Sequence, residues 1–307
     1  MNKIVPINLG NSKFLPIIIS CTVLLLVKII TNIDFFYLNP NNIERPCHEF
    51  FNKKNIIQFN FNNNLSWFVP CLSNNKITLD YLDNHKTTDK IIVFCHGNSN
   101  NITWKERILD RLSDNFKYPI ICQDYLRIDN CNINNMINNT CKLIEFLNKK
   151  GFNNDSIILF GESIGCHIIL NVAKKYNIKN VICYIGFRKT SNIIKRKLPV
   201  IGHFVTLFIY DLNNEKIIKS FNNLNITFLN SPQDELVDYN DIKDMISQLE
   251  QSSNSNVAQA VSLLEKSSNS NLAVNDTKYE LLEISGIHKK PTIPDNVFLR
   301  LKEKYDI

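Results

Sequence analysis

The chain has 307 residues, 44% of them hydrophobic, and a formal net charge of +6 carried by scattered lysines. That length buries a single substantial core of the size at which α/β domains are common, and with no basic tract longer than Lys195-Arg196-Lys197 the charge argues against nucleic acid as a partner. Nine cysteines, an odd number with no C-x-x-C pair, argue against both a disulfide framework and a metal site. No cofactor or metal is expected.

Residues Phe14 to Ile30 are almost wholly apolar, interrupted by Ser20, Cys21, Thr22 and Lys28. At about 1.5 Å per residue such a helix just spans a hydrocarbon core of roughly 30 Å if Lys28 snorkels and Ile33, Phe35 and Phe36 extend it into the interface. A cleaved signal peptide is the alternative, but TNIDFFYL follows where a small-x-small cleavage site is needed. The segment 1–38 is therefore read as a single-pass membrane anchor. Lys3 and Lys13 lean toward a cytosolic amino terminus and leave the side of the membrane open. A polar linker with two prolines, residues 39–55, joins the anchor to a domain over 56–307.

The domain opens on two alternating runs, Ile56 to Phe61 and Leu65 to Val69, which read as a hairpin. From there strands and helices alternate: a strand at Ile91 to Cys95, a helix at Trp104 to Phe116, a strand at Pro119 to Cys122, a helix at Met136 to Leu147, a strand at Ile157 to Phe160 with a helix behind it, and a strand at Val181 to Ile185. That rhythm predicts a mostly parallel sheet with helices on both faces and an active site along the edge formed by the strands' carboxyl ends. Residues 186–221 break the rhythm with mixed basic and apolar sequence, and read equally as a cap over that edge or as a connecting helix pair. A strand at Ile226 to Asn230 and a helix from Tyr239 to about Leu249 follow. Residues 252–275, which contain SSNSN twice, read as a flexible surface excursion. A strand at Tyr279 to Ile284 and a helix from Asn296 to Tyr305 close the domain.

The chemistry centres on Gly161-Glu162-Ser163-Ile164-Gly165, a G-x-S-x-G sequence placed between a strand and a helix. A turn this tight holds its serine at strained dihedrals and requires glycine on both flanks, as a nucleophile elbow does. A serine hydroxyl needs a base to take its proton, and the base needs an acid to fix its tautomer. Of the three histidines after Ser163, His167 lies one turn up the same helix and His203 falls in the segment 186–221. His288, in Ser285-Gly286-Ile287-His288 just past the final strand, is the expected base. Asp234, in the turn after the strand ending at Asn230, is the expected acid, with Glu235 and Asp238 as runners-up. The backbone N–H of Ile164, at the helix amino terminus, and that of Asn98, in His96-Gly97-Asn98, are the expected oxyanion donors. His96 itself reads as a structural loop residue.

With VFCHGNSNNI, ILFGESIGC, NSPQDELVD and SGIH in this order, the chain resembles the α/β-hydrolase superfamily, and most of all its small membrane-anchored members, over about Ile56 to Tyr305. The segment CQDYLR, Cys122 to Arg127, is similar to an Asp-Tyr-Arg in those proteins. The resemblance implies the α/β-hydrolase fold, Ser163 as nucleophile, Asp234 as acid, His288 as base and Asn98 with Ile164 as oxyanion donors. It also implies an acyl ester or thioester substrate, on a lipid or a lipidated protein. The chain departs from the family at Cys166, where a second glycine is usual, so that helix and strand are expected to pack less closely there. It departs again at Asn230-Ser231, where His-Gly is usual. The alternative function is a catalytically inactive member serving as an interaction module at a membrane.

Overall fold

The structure is a computed structural model. It describes residues 55–62, 64–70, 81–84, 86, 89–98, 102–124, 132–207, 209–264 and 277–307, with backbone alone at 64 and from 253 to 264. The apolar run at 14–30, the linker up to residue 54 and the second part of the serine and asparagine segment lie outside these residues. Among the described residues, no helix is long and apolar enough to cross a membrane.

The hairpin is β1 (Ile57–Phe61) and β2 (Asn64–Val69), paired antiparallel. A single turn, α1 (Tyr81–Asn84), precedes β3 (Ile91–Cys95), all five of whose residues are buried. A 3₁₀ turn at Ile102–Trp104 leads into α2 (Glu106–Asn115), then come β4 (Ile120–Gln123) and α3 (Ile133–Lys149). Strand β5 (Ile157–Glu162) feeds α4 (Ile164–Tyr176), and β6 (Asn180–Tyr184) follows. Three short helices occupy the next stretch: α5 (Thr190–Lys197), α6 (Gly202–Val205) and α7 (Asn214–Ile218). The chain ends with β7 (Asn225–Asn230), α8 (Tyr239–Leu264), β8 (Lys278–Glu283) and α9 (Asp295–Tyr305).

The strands form one eight-stranded sheet in the order β1-β2-β4-β3-β5-β6-β7-β8. Strand β2 runs antiparallel to both its neighbours, and every pairing from β4 to β8 is parallel. Alternation along the buried strands divides the core in two. Ile91, Val93, Leu159, Val181 and Phe228 share one cluster with residues of α3, α4 and α8, while Ile92, Phe94, Phe160 and Ile182 share another with Leu109 and Leu112 of α2 and Phe298 and Leu301 of α9. A sheet buried on both faces in this way leaves the loops at the strand ends as its open part. Those ends are where a site can form. Strand β3 lies between β4 and β5, so the chain leaves it first toward one side and later toward the other. Loops after β3 and β5 therefore diverge at this switch point, the place where open α/β sheets commonly bind their ligands.

One boundary differs markedly from expectation. The helix predicted to end near Leu249 continues to Leu264, so the first half of the segment read as a flexible excursion is helical backbone. The serines and asparagines of SSNSN are only mildly unfavourable to a helix already nucleated, and the NVAQAVSLL that follows is rich in good helix formers.

Candidate active site

The turn between β5 and α4 sets the geometry. Ser163 sits at φ 53° and ψ −113°, a conformation that costs a non-glycine residue about 1–3 kcal/mol, and its N–H is held by the Tyr184 carbonyl at 2.9 Å. A Cβ on Gly161 would stand 2.6 Å from the Gly165 carbonyl carbon, and one on Gly165 would collide with the Cys95 carbonyl oxygen. The flanking glycines thus let α4 close onto both β5 and β3. The looser packing expected at Cys166 is not found: the approach is made at Gly165, and the fully buried Cys166 thiol donates to the Gly161 carbonyl at 3.1 Å.

The structure brings the three expected side chains together across 54 and 125 residues of sequence. Asp234 Oδ2 lies 2.8 Å from His288 Nδ1, and His288 Nε2 lies 3.3 Å from Ser163 Oγ. An ionised carboxylate facing Nδ1 makes that nitrogen the protonated one, which leaves Nε2 to accept from the serine hydroxyl. Burial by itself raises the Asp234 carboxyl, but hydrogen bonding and attraction from His288, together with the N–H groups of Val237 and Leu236 on Oδ1, hold it below the usual carboxylate range. Asp234 therefore both braces its own turn and faces the imidazole, one oxygen for each.

The runners-up fall into other places. Glu235 accepts the backbone N–H of His288 at 2.9 Å, fixing the loop rather than the ring, and Asp238 caps α8 through the Asn240 N–H at 2.9 Å. The loop carrying His288 is itself closed by paired hydrogen bonds between Ser285 and Thr292. His167 is buried and bonded to Asn214 at 2.7 Å, and burial lowers its basicity. His203 is exposed on α6. At the departure from the family pattern, buried Asn230 donates to the Gly186 carbonyl at 2.8 Å, tying the end of β7 to the chain leaving β6.

The loop 96–98 follows β3, directly beside the elbow in the sheet, since Cys95 pairs with Gly161. His96 is wholly buried, with Nδ1 2.8 Å from the Gly97 carbonyl and Nε2 3.7 Å from Oδ1 of buried Asp124, in keeping with a structural part. Asn98 is half-buried in the loop after β3, and Ile164 opens α4.

One pair went unseen in the sequence. Glu162, the residue before the serine, accepts the Gly97 N–H at 2.9 Å and pairs with Lys105 at 2.9 Å, with side chains only 14% and 7% exposed. Burial pushes the Glu162 carboxyl up, and Lys105, the Gly97 N–H and His96 outweigh it, for a net lowering. This bridge ties the loop after β3 to the elbow. The signal available was weak: a carboxylate at a position flanked by buried strand and buried helix, where a charge survives only if paired.

Among solved structures, the chain is similar to the esterase Pf2001 of Pyrococcus furiosus, with a TM-score of 0.56 and 11% identity over 87% of this chain and 95% of that one. The strand order, the antiparallel β2 and the strand-turn-helix around Ser163 agree with that likeness. The fold is that of the α/β-hydrolases. Est1E of Butyrivibrio proteoclasticus (TM-score 0.50, 13% identity, 81% of this chain and 96% of that one) and the virulence factor BioJ of Francisella (0.51, 14%, 91% and 89%) are similar as well. No protein-family model and no curated protein matches the chain. At such identities it is the α/β-hydrolase fold that is shared.

Proposed function

We propose that the protein is a serine hydrolase that cleaves carboxylic esters or thioesters, the acyl group being carried by a lipid or a lipidated protein. The observation that carries the reading is the continuous path Asp234, His288, Ser163, at 2.8 and 3.3 Å, ending on a serine at strained dihedrals at the head of a helix. Ser163 Oγ attacks the acyl carbon as its proton passes to His288 Nε2. The resulting oxyanion is met by the N–H groups of Ile164 and Asn98, the first aided by the dipole of α4. Collapse breaks the bond to the leaving oxygen or sulfur, which takes the proton from His288, and the acyl group stays on Ser163. Water, deprotonated by the same imidazole, then releases the acid. Asp234 stays ionised throughout and holds the ring.

The apolar run 14–30 supports a tether that keeps this chemistry at a membrane, and the acyl substrate class follows from that tether and from the α/β-hydrolase resemblance. Reaction of the full chain with a fluorophosphonate probe tests the reading. Labelling of the wild type, lost in Ser163→Ala, is expected. A folded wild type that does not label, or equal labelling of Ser163→Ala, overturns it in favour of a non-catalytic interaction module.

A further inference from the structure

Among the described residues, five of the seven exposed large hydrophobic side chains fall between positions 200 and 210: Val200 (90% exposed), Ile201 (39%), Phe204 (47%), Leu207 (75%) and Tyr210 (78%). They do not belong to a loosely packed segment. Beneath them, Ile194 and Val205 are buried and form their own small core with Leu198 and Ile209. The excursion has thus used its inward apolar side, and a second apolar set faces outward.

Its base is pinned. Asp211 accepts from Thr190 Oγ1 at 2.8 Å, from the Ser191 N–H at 2.8 Å and from Ser191 Oγ at 3.0 Å, and Lys189 pairs with Asn213. The same side chains that close the loop tie residue 190 to residue 212, with the Leu212 N–H donating to Thr190 Oγ1. The segment therefore stands on the body of the domain as a fixed platform. It leaves the sheet just after β6, whose Tyr184 carbonyl holds the Ser163 N–H, and so it rises from the same edge as the candidate active site.

Charge identifies what the platform faces. From Gly186 to Tyr210 the sequence carries Arg188, Lys189, Lys195, Arg196 and Lys197 and no aspartate or glutamate. Arg196 and Lys197 are exposed, and a Cβ on Gly202 would lie 2.8 Å from Lys195 Cα, so α6 crosses α5 in contact with the basic turn. Apolar side chains and cations are thereby set side by side. Arg188 and Lys189 are paired with Glu215, and the Asp211 carboxylate is turned onto Thr190 and Ser191 at the base, which leaves Lys195, Arg196 and Lys197 as the cations beside the outward apolar set. That arrangement matches the boundary between anionic headgroups and acyl chains, where apolar residues enter and each lysine or arginine adds attraction.

We infer that residues 195–207, together with Tyr210, form a docking surface for an anionic lipid bilayer. The inference does not rest on the hydrolase chemistry. It adds to the proposed tether a fixed orientation, with the Ser163 edge of the sheet turned toward the bilayer.

The test uses the full chain with vesicles of phosphatidylcholine, with or without phosphatidylserine, in which brominated phosphatidylcholine quenches nearby indoles. Leu207→Trp is compared with Leu299→Trp, an exposed leucine on α9 away from the platform, and each with the wild type. The expected result is added quenching at 207 and none at 299, rising with phosphatidylserine and falling with salt. Lys195→Gln, Arg196→Gln and Lys197→Gln combined should weaken the docked state about 100-fold, at about fivefold per charge. An unquenched indole at 207, equal quenching at 207 and 299, or indifference to phosphatidylserine and to the triple change would each overturn the inference. So would lipid-independent crosslinking of 207 to 207, which would assign the surface to a second copy of the chain. Hydrolysis of a water-soluble short ester, measured on the same variants, reports on the catalytic reading separately and should stay at the wild-type rate.

Discussion

Replacing Glu162 by glutamine leaves the shape of the side chain and an oxygen able to accept the Gly97 N–H, but removes the charge that Lys105 faces at 2.9 Å. Breaking a buried ion pair from one side costs about 3–5 kcal/mol because the other charge is stranded. The Glu162 side chain is 14% exposed and that of Lys105 7%, so water reaches the stranded ammonium in part, and about 2–3 kcal/mol is expected. For a domain of this size that lowers Tm by about 5–10 °C. The loop after β3 would also lose part of its hold on the elbow. Deleting an oxyanion donor outright costs about 10²–10³-fold in kcat, so tilting the loop that carries Asn98 should cost about 10–100-fold, with KM little changed. Both effects are read from thermal melts and from steady-state hydrolysis of a p-nitrophenyl ester. The decisive measurement is the double variant with Lys105→Met. It should recover at least about 1 kcal/mol of the loss seen in Glu162→Gln alone, since no unpaired charge remains. If Glu162→Gln keeps both stability and kcat within a factor of about two of wild type, or the two changes are simply additive, the bridge does not do what its geometry indicates.

Ser163→Ala and His288→Ala should each lower ester hydrolysis by at least about 10³-fold, and Asp234→Asn by about 10³–10⁴-fold through loss of the imidazole's tautomer, all three with wild-type melting curves to within a few degrees. Gly165→Ala places a methyl against the Cys95 carbonyl oxygen and should cost about 3 kcal/mol or more, seen as a lowered urea midpoint or loss of soluble protein, because neither strand nor helix can yield there. Glu215 is held down to about 2 by its hydrogen bond to Arg188, with Lys219 and Lys189 adding to it. A carboxyl depressed in the folded state contributes stability above its ordinary value, lost as pH falls from about 4.5 toward 2. With Lys219 and Lys189 reaching solvent, about 1–2 kcal/mol should disappear across that window in urea titrations of the wild type, and Glu215→Gln should flatten the curve. Cys95, Cys122, Cys141, Cys166 and Cys183 are all buried and free, and burial pushes the Cys95 thiol up to about 12, so these thiols should react with iodoacetamide at neutral pH only after denaturation.

Much of the site could be read in advance because its members are fixed by local rules. Glycine on either side of a serine between a strand and a helix already specifies the elbow, since few other residues tolerate that turn. Of the three histidines after Ser163, only His288 follows the final strand, and the parallel order of the sheet brings that loop to the same edge as the elbow. The choice among Asp234, Glu235 and Asp238 was less determinate, because three carboxylates within five residues differ only in which way the turn points them. One faces the imidazole, one holds the backbone N–H of His288, and one caps α8. The extension of α8 to Leu264 is not legible in composition, which weighs serine and asparagine as loop formers, whereas a helix once nucleated carries them at little cost.

By itself the sequence determined the alternation of strands and helices, the strained serine and the order of its partners, because periodicity and glycine placement act within a few residues of chain. Only the tertiary structure decided that Glu162 and Lys105 join the elbow to the neighbouring loop, that Asp211 pins the platform, and that its apolar residues face outward beside a basic turn. Each of these depends on which segments far apart in sequence lie against each other. A buried charge or an exposed leucine acquires its meaning from the neighbour it meets there.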